Sequence, residues 1–265
     1  MTQTGKAEAF RNLHRGAEIL VLPNAWDAAS AAVMADAGAK AVATSSAAVA
    51  WAHGYADGDL LPVDKAVLSV AEIARVVDVP VTADFEGGYT DDLGELVENV
   101  TRVVEAGAVG VNLEDGARAP ELHAAKIEAI KTALGDRVFV NARTDVYLRG
   151  LAEGQAAYAE TIARAERYRA AGADGIFVPG AADPDLIGRL AGEIRLPLNI
   201  MGWTGVPDAK RLQALGVRRL SAATSPFRLA YAALARAMEA YVRDGDPDAL
   251  ARAADGAPAL QARFG

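Results

Sequence analysis

The sequence predicts a single (β/α)8 barrel, and two observations carry that expectation. The first is a recurring phrase in which an Ala-rich helical pattern ends at a glycine and a short apolar strand follows. It occurs as DAGAKAVATSS around Gly38, EAGAVGVNLED around Gly107, AAGADGIFVPG around Gly172 and, more loosely, ALGVRRLSAA around Gly216. A glycine ends a helix well because it takes positive φ without steric cost, and the intervals between these four fit about two, two and one βα units. The second is that the strand candidates are continuous apolar runs, as parallel strands covered on both faces require, rather than alternations.

Taken in order, the opening MTQTGKAEAFRNLHRG is a polar, amphipathic helix with none of the apolar core of a signal peptide, and no run is long enough to span a membrane. Strands are expected near residues 19–23, 41–45, 80–84, 110–114, 138–142, 175–179, 197–201 and 218–222. Between them, segments such as LGELVENVTRVVEAGA and QAAYAETIARAERYRAAGA space apolar residues by three and four, as amphipathic helices do. A doubly wound open sheet shares this local pattern, but no Gly-x-Gly-x-x-Gly fingerprint supports it. After the eighth strand, residues 225–265 hold more helix than one barrel needs, broken at Asp-Gly-Asp-Pro, and are expected to pack on a neighbouring subunit. No linker divides the chain, so residues 1–265 form one domain with a helical C-terminal extension.

Composition narrows the function. The chain has 265 residues, 52% of them hydrophobic, and a formal charge of -8, so a sizeable core is available and neither nucleic acid nor an anionic membrane suits as partner. The chain contains no cysteine, which removes disulfides, thiolate metal sites and a cysteine nucleophile and accords with a reducing cytoplasm. A small molecule is the expected partner.

In such a barrel the loops after the strands open on one face, where the chemistry sits. Asp84 and Glu86 in VTADFEGGYTDD end the third strand, Glu114 and Asp115 the fourth, and Asn141, Arg143 and Asp145 the fifth. Converging carboxylates suit Mg²⁺, which takes one or two protein carboxylates and otherwise water. The alternative is that such acids cap the following helices; Asp91, Asp92 and Asp27 are expected to do so.

These motifs resemble the isocitrate lyase and phosphoenolpyruvate mutase superfamily. The likeness runs from LPNAWDAASA through TSSAAVAWAHGYADGD, VTADFEGGYTDD, GVNLEDG and VNARTDVYL to GADGIFVPG and PLNIM. It implies a barrel that exchanges its last helix between subunits, in a dimer or tetramer, and that binds Mg²⁺, or alternatively Mn²⁺, together with a 2-oxo acid that reacts as its enolate. It further implies that Asp57, Asp84, Glu86 and Glu114 hold the metal, several through water. Ser45, Ser46 and Ala47 would donate to the substrate carboxylate, and Arg143 would pair with the anionic groups. The Lys-Lys-Cys-Gly-His segment of the isocitrate lyases is missing from EDGARAPELHAAKI, residues 114–127. So is the longer gating loop of the mutases and phosphonopyruvate hydrolases, leaving Arg118 as its one cation.

Decarboxylation or lyase cleavage of a small 2-oxo or 2-hydroxy dicarboxylate is therefore expected. A silent 2-oxo acid binder and a P–C hydrolase of phosphonopyruvate are the alternatives. Candidates for proton handling are His53 in WAHGYADG and Tyr89. Asn199 is expected at the barrel mouth, Trp26 and Trp203 as pocket walls, His14 on the first helix and His123 on the surface of its helix.

Overall fold

The computed structural model describes residues 1–265, and every strand in it is parallel. The strands are β1 (Leu20–Leu22), β2 (Asn24–Ala25), β3 (Val42–Thr44), β4 (Val81–Asp84), β5 (Ala108–Glu114), β6 (Phe139–Arg143), β7 (Gly175–Phe177), β8 (Leu198–Met201) and β9 (Arg219–Ser221). Their order in the sheet is β1-β9-β8-β7-β6-β5-β4-β3-β2. Because β1 and β2 are successive pieces of one run, the sheet closes on itself as a (β/α)8 barrel whose first stave is broken. The break falls at Pro23, which has no N–H to give a ladder. On one side of it Ala222 N–H donates to Leu22 O at 3.1 Å, and on the other Ala43 N–H donates to Pro23 O at 2.9 Å. An open doubly wound sheet is excluded by this consecutive order.

The helices are α1 (Gln3–Arg15), α2 (Ala28–Asp36), α3 (Ser46–Ala52), α4 (Val63–Val76), α5 (Leu93–Glu105), α6 (Pro120–Leu134), α7 (Gly154–Ala170), α8 (Pro184–Glu193), α9 (Ala209–Ala214), α10 (Ser225–Asp244), α11 (Pro247–Ala253) and α12 (Leu260–Phe264). The four repeat glycines each follow a helix with positive φ, from +93° at Gly38 to +115° at Gly107. The main core joins Val111, Leu113, Val140, Ile176 and Ile200 on the strands to Val100 and Val103 of α5, Ile127 and Ile130 of α6, and Ile187 of α8. A second cluster has Phe10 and Ala7 of α1 against Leu20, Leu22, Val109 and Phe139. Those contacts lie at the strands' starts, so α1 plugs the N-terminal end and the other end is left for chemistry.

Beyond β9 the extra helix is present as α10, α11 and α12. Within this one chain the tail turns back onto the barrel: Arg263 reaches Asp36 of α2 at 3.1 Å and Val76 O of α4 at 3.0 Å. No helix is long and apolar enough to cross a membrane.

Candidate active site

At the C-terminal ends of the strands lies a cavity of about 230 Å³ whose lining includes Ser45, Ser46, Ala47, Asp57, Asp84, Asn112 and Arg143. A larger depression of about 380 Å³, beside α1 and Asp136–Arg137, is at the other end of the barrel and no strand end enters it. Geometry favours the smaller cavity, since several strand ends converge there.

Asp84 closes β4 and faces this cavity. Ser46 donates to Asp84 Oδ2 through its N–H at 3.0 Å and its Oγ at 2.9 Å, and Asn112 Nδ2 donates to Oδ1 at 3.3 Å. Asp84 is thus held by neutral donors and does not cap the helix that follows it. Ser45 instead caps α3, accepting from Ala48 N–H at 3.4 Å. Asp57 lines the same cavity, and burial, then the charge of Asp84, raises its pKa above the usual carboxylate value.

Glu86 and Tyr89 are drawn into the frame of the loop. Glu86 is buried; its Oε2 accepts from Gly58 N–H at 2.8 Å and from Asp59 N–H, and Tyr89 OH donates to its Oε1 at 3.2 Å. Asp59 Oδ1 in turn accepts from Gly87 N–H and Tyr89 N–H, both at 3.1 Å. These reciprocal bonds hold the Asp57 loop against the loop after β4. They also offset positive φ at Glu86 (49°) and Tyr89 (62°), which for such residues costs of order 1–3 kcal/mol each. Of the two glycines between them Gly88 is the constrained one, with φ of +91° and Leu96 Cδ1 2.3 Å from where a Cβ would stand, whereas a Cβ at Gly87 would displace the end of the Arg118 side chain. Burial lifts the Glu86 carboxyl to about 7, helped by the nearby aspartates and opposed by the Asp59 N–H.

Arg143 is the cation of the cavity. Its Nη1 meets Glu114 at 2.6 Å, its Nε meets Asp145 Oδ1 at 2.6 Å, and the guanidinium lies 5.8 Å from the Phe177 ring centroid. Burial opposes its charge, but Glu114 and Asp145 outweigh that and raise its pKa. Burial also lifts Glu114, to about 8, with Arg143 opposing. Behind them Asp145 N–H donates to Asp115 Oδ1 at 2.9 Å, and Asp115 Oδ2 accepts from Arg164 at 2.8 Å and Tyr168 OH at 2.7 Å. Asp115 and Asp145 are the anchors of this frame.

Below the cavity the barrel interior is polar. Asn112 Oδ1 accepts from Asn141 at 2.8 Å and from fully buried Arg219 at 3.1 Å. Asn199 lies in this layer, 1% exposed and bonded to Ser221 Oγ at 3.3 Å, and does not line the cavity as expected.

Other expectations are corrected. His53 is exposed at the end of α3 with Nε2 against Ser69 Oγ at 3.2 Å, and the structure does not bring it to the cavity. His123 is 1% exposed, not on the surface, and packs edge-on to Tyr168 at 4.6 Å. Its spacing of four and seven to Ile127 and Ile130 was the available signal, because those residues mark the buried face of α6. Asp92 caps α5, but Asp91 pairs with Lys126 at 2.6 Å. Trp203 lines the cavity, whereas Trp26 packs on Phe227, and Trp51 takes its place in the wall. Asn24, Trp51, Leu148, Phe177 and Met201 of the lining lie inside the quoted motifs and Thr224 outside them, and none of the six was singled out as a site residue.

The donor set fits a hard divalent cation. Asp57 and Asp84 are the only carboxylates in the lining, and no three Asp, Glu or His side chains converge as a closed metal cage. One or two carboxylates with water completing the shell is the habit of Mg²⁺, and Mn²⁺ accepts the same oxygens. The raised pKa values of Asp57, Glu86 and Glu114 reflect a mouth where carboxylates are buried near one another, a situation that a cation relieves.

The fold and this carboxylate mouth define a class, and comparison with known proteins agrees. Residues 10–242 match the phosphoenolpyruvate phosphomutase family. The chain belongs to that family, within the isocitrate lyase and phosphoenolpyruvate mutase superfamily of lyases and mutases. It is similar to a candidate phosphonomutase from Burkholderia cenocepacia J2315, at 40% identity over 88% of this chain and 99% of that one, with a TM-score of 0.84. An uncharacterized protein of Mycobacterium tuberculosis strain H37Rv is 38% identical over 90% of each chain. Oxaloacetate decarboxylase 1 of Pseudomonas fluorescens strain Pf0-1 is 29% identical over 79% of this chain and 75% of its own.

Proposed function

We propose that the protein is a Mg²⁺-dependent carbon–carbon lyase that decarboxylates an oxaloacetate-like 2-oxo dicarboxylate. The observation that carries this reading is the composition of the lining: Asp57, Asp84 and Arg143 are its only ionisable side chains, with no His, Lys, Cys or Tyr among them. A retro-aldol cleavage needs a base to take a hydroxyl proton, whereas loss of CO₂ needs none. Similarity to oxaloacetate decarboxylases supports the same choice.

Asp57 and Asp84 would hold a magnesium ion, which would supply positive charge for the electron pair released from the broken bond. Ser46 and Asn112 keep Asp84 turned toward the cavity, and the Glu86 and Asp59 clamps keep Asp57 there. Ser45, Ser46 and Ala47 face the first carboxylate from the start of α3. Arg143, fixed by Glu114 and Asp145, pairs with the carboxylate that leaves. The C3–carboxylate bond breaks, CO₂ departs, the electron pair forms the enolate, and C3 takes a proton from solvent at the mouth. Glu86, Glu114 and Tyr89 support these groups rather than touching substrate, and His53, on Ser69, has no part in the step.

Assayed with oxaloacetate, 2-methylisocitrate, phosphonopyruvate and malate, with and without Mg²⁺, the protein should consume oxaloacetate fastest and stop when the metal is chelated. Faster release of phosphate from phosphonopyruvate would replace this reading with P–C hydrolysis. Binding of oxalate without turnover of any compound would make the protein a silent 2-oxo acid binder. We also propose a homo-oligomer, supported by Leu229 and Val242, which leave 71% and 82% of their surface exposed on α10.

A further inference from the structure

The residue that the fold alone has least reason to keep is Arg219. It lies on β9, the eighth stave, and reaches across the barrel to Asn112 on β5, the fourth. None of its surface is exposed, yet its one side-chain hydrogen bond goes to that neutral amide, at 3.1 Å, and its Nε and Nη1 have no partner. Burial pushes its pKa down to about 9, and Asp84 is the charge that acts the other way. Arg164 shows the contrast, being bonded to Asp115 at 2.8 Å and to Glu160 at 2.7 Å. A buried charge with no bonded counter-charge is costly to a fold, and a local rule broken at such a cost points to function.

What Arg219 meets is the amide behind the cavity. Asn112 Oδ1 accepts from Arg219 Nη2 and, at 2.8 Å, from Asn141 Nδ2, while Asn112 Nδ2 donates to Asp84 Oδ1 at 3.3 Å. Asn141 alone cannot fix which way round the Asn112 amide stands, because its own side chain carries both donors and an acceptor. A guanidinium carries donors only. With Arg219 in place the Asn112 oxygen faces the guanidinium and the NH₂ faces Asp84. Arg219 does not line the cavity, so it reaches the site only at one remove.

We propose that Arg219 is a positioning residue of the active site: as a charge with donors only, it locks the Asn112 amide and through it turns Asp84 toward the cavity. The proposal rests on the reading of Asp84 as a magnesium holder and adds to it the group that aims that carboxylate. Since the charge burdens the fold and serves the site, its removal should move stability and binding in opposite directions.

Arg219→Met should melt no lower than the parent protein without ligand, yet bind oxalate with Mg²⁺ about tenfold more weakly. Arg219→Lys, which brings another charge with donors only, should recover most of that affinity. With Asn112→Ala already in place, adding Arg219→Met should change the dissociation constant by less than about twofold, because the relay is gone. In metal-free crystals of Arg219→Met, Asp84 should have left Asn112 Nδ2. A lower melting temperature with unchanged affinity, or a failure of Arg219→Met to fold, would make Arg219 a strut of the barrel and overturn the proposal. An equal loss of affinity with and without Asn112 would overturn it too, by showing the charge acting on the ligand directly. If the parent protein binds no oxalate with Mg²⁺, the metal reading fails by itself, and the position of Asp84 in those crystals alone decides whether Arg219 aims it.

Discussion

Asp84 and Asp115 stand at the mouth ends of neighbouring parallel strands, and their surroundings separate chemistry from framework. Asp115 has no exposed surface and meets a guanidinium, a phenol and a backbone N–H at 2.7–2.9 Å. Asp84 is partly exposed to the cavity and held by the amide of Asn112 and the N–H and hydroxyl of Ser46, all neutral. A carboxylate neutralised by a buried cation is committed to the fold. One oriented by neutral donors toward a cavity keeps its charge for a ligand.

The largest effect should come from the framework side. Asp115→Ala leaves Arg164 Nη1 and the Tyr168 hydroxyl without their partner, Arg164 keeping only Glu160 at its Nε, and breaking a buried pair in this way costs about 3–5 kcal/mol. For a chain of this length that is a fall in Tm of roughly 10 °C or more. A thermal melt checks it. A drop of only a degree or two would put Asp115 among the groups spared for function.

On the ligand side the signature should invert. Asp84→Asn keeps an oxygen for Ser46 and should cost at most about 1 kcal/mol without ligand. At a hundred times its dissociation constant, oxalate with Mg²⁺ should stabilise the wild-type protein by about 2.7 kcal/mol. The variant should lose that gain. Ligand-dependent stabilisation that survives in Asp84→Asn would end the metal assignment.

How much of this could be read beforehand differs between the two carboxylates. The place of both was legible, because strand ends in a βα repeat share one face of the barrel. Which one anchors and which one faces the cavity was not, because it depends on Arg164 and Tyr168 of α7, separated from Asp115 by 49 and 53 residues in the chain. Short-range signals fared well: the repeat glycines and the caps of Asp27 and Asp92 act within one turn of chain. The apolar part of the lining escaped notice because Leu148, Phe177 and Met201 look like core residues until the barrel closes. Arg219 escaped for the converse reason, since a charge gives no sign of pointing into a barrel.

The framework also carries the pH response. His123 packs on Tyr168, and burial, reinforced by the charge of Lys126, lowers its pKa to about 3; burial lowers His14 likewise to about 3. In the unfolded chain these groups take up a proton near pH 6.5 that the folded protein refuses. Stability should be undiminished by them above that pH and fall as pH drops from 6.5 toward 3, by up to about 1.4 kcal/mol per pH unit for each histidine. Glu86 and Glu114, whose carboxyls burial raises, act in the opposite sense over the same range, so the readout is a difference between two proteins. In denaturant unfolding, His123→Phe should gain stability relative to the parent protein as pH falls from 7 to 5, by up to about 1.4 kcal/mol per pH unit. A difference that stays constant with pH would mean that His123 is protonated in the folded protein.

The smallest effect separates two roles for Arg118, the one cation in the short loop after β5. Its Nη2 meets Asp59 at 2.8 Å and its Nε meets Asp91 at 2.9 Å, with about a third of its side chain exposed. A partly exposed pair of this kind is worth about 1 kcal/mol or less. Asp59 also keeps its bonds from Gly87 and Tyr89, and Glu86 its bond from Gly58, when the arginine is removed. Arg118→Gln should therefore leave the Asp57 loop in place and weaken Mg²⁺-dependent oxalate binding by about fivefold at most, far less than Asp84→Asn. A loss equal to that of Asp84→Asn would show the guanidinium acting on the ligand itself, as a gating cation. In that case the line drawn between framework and cavity would have to move to include the loop after β5.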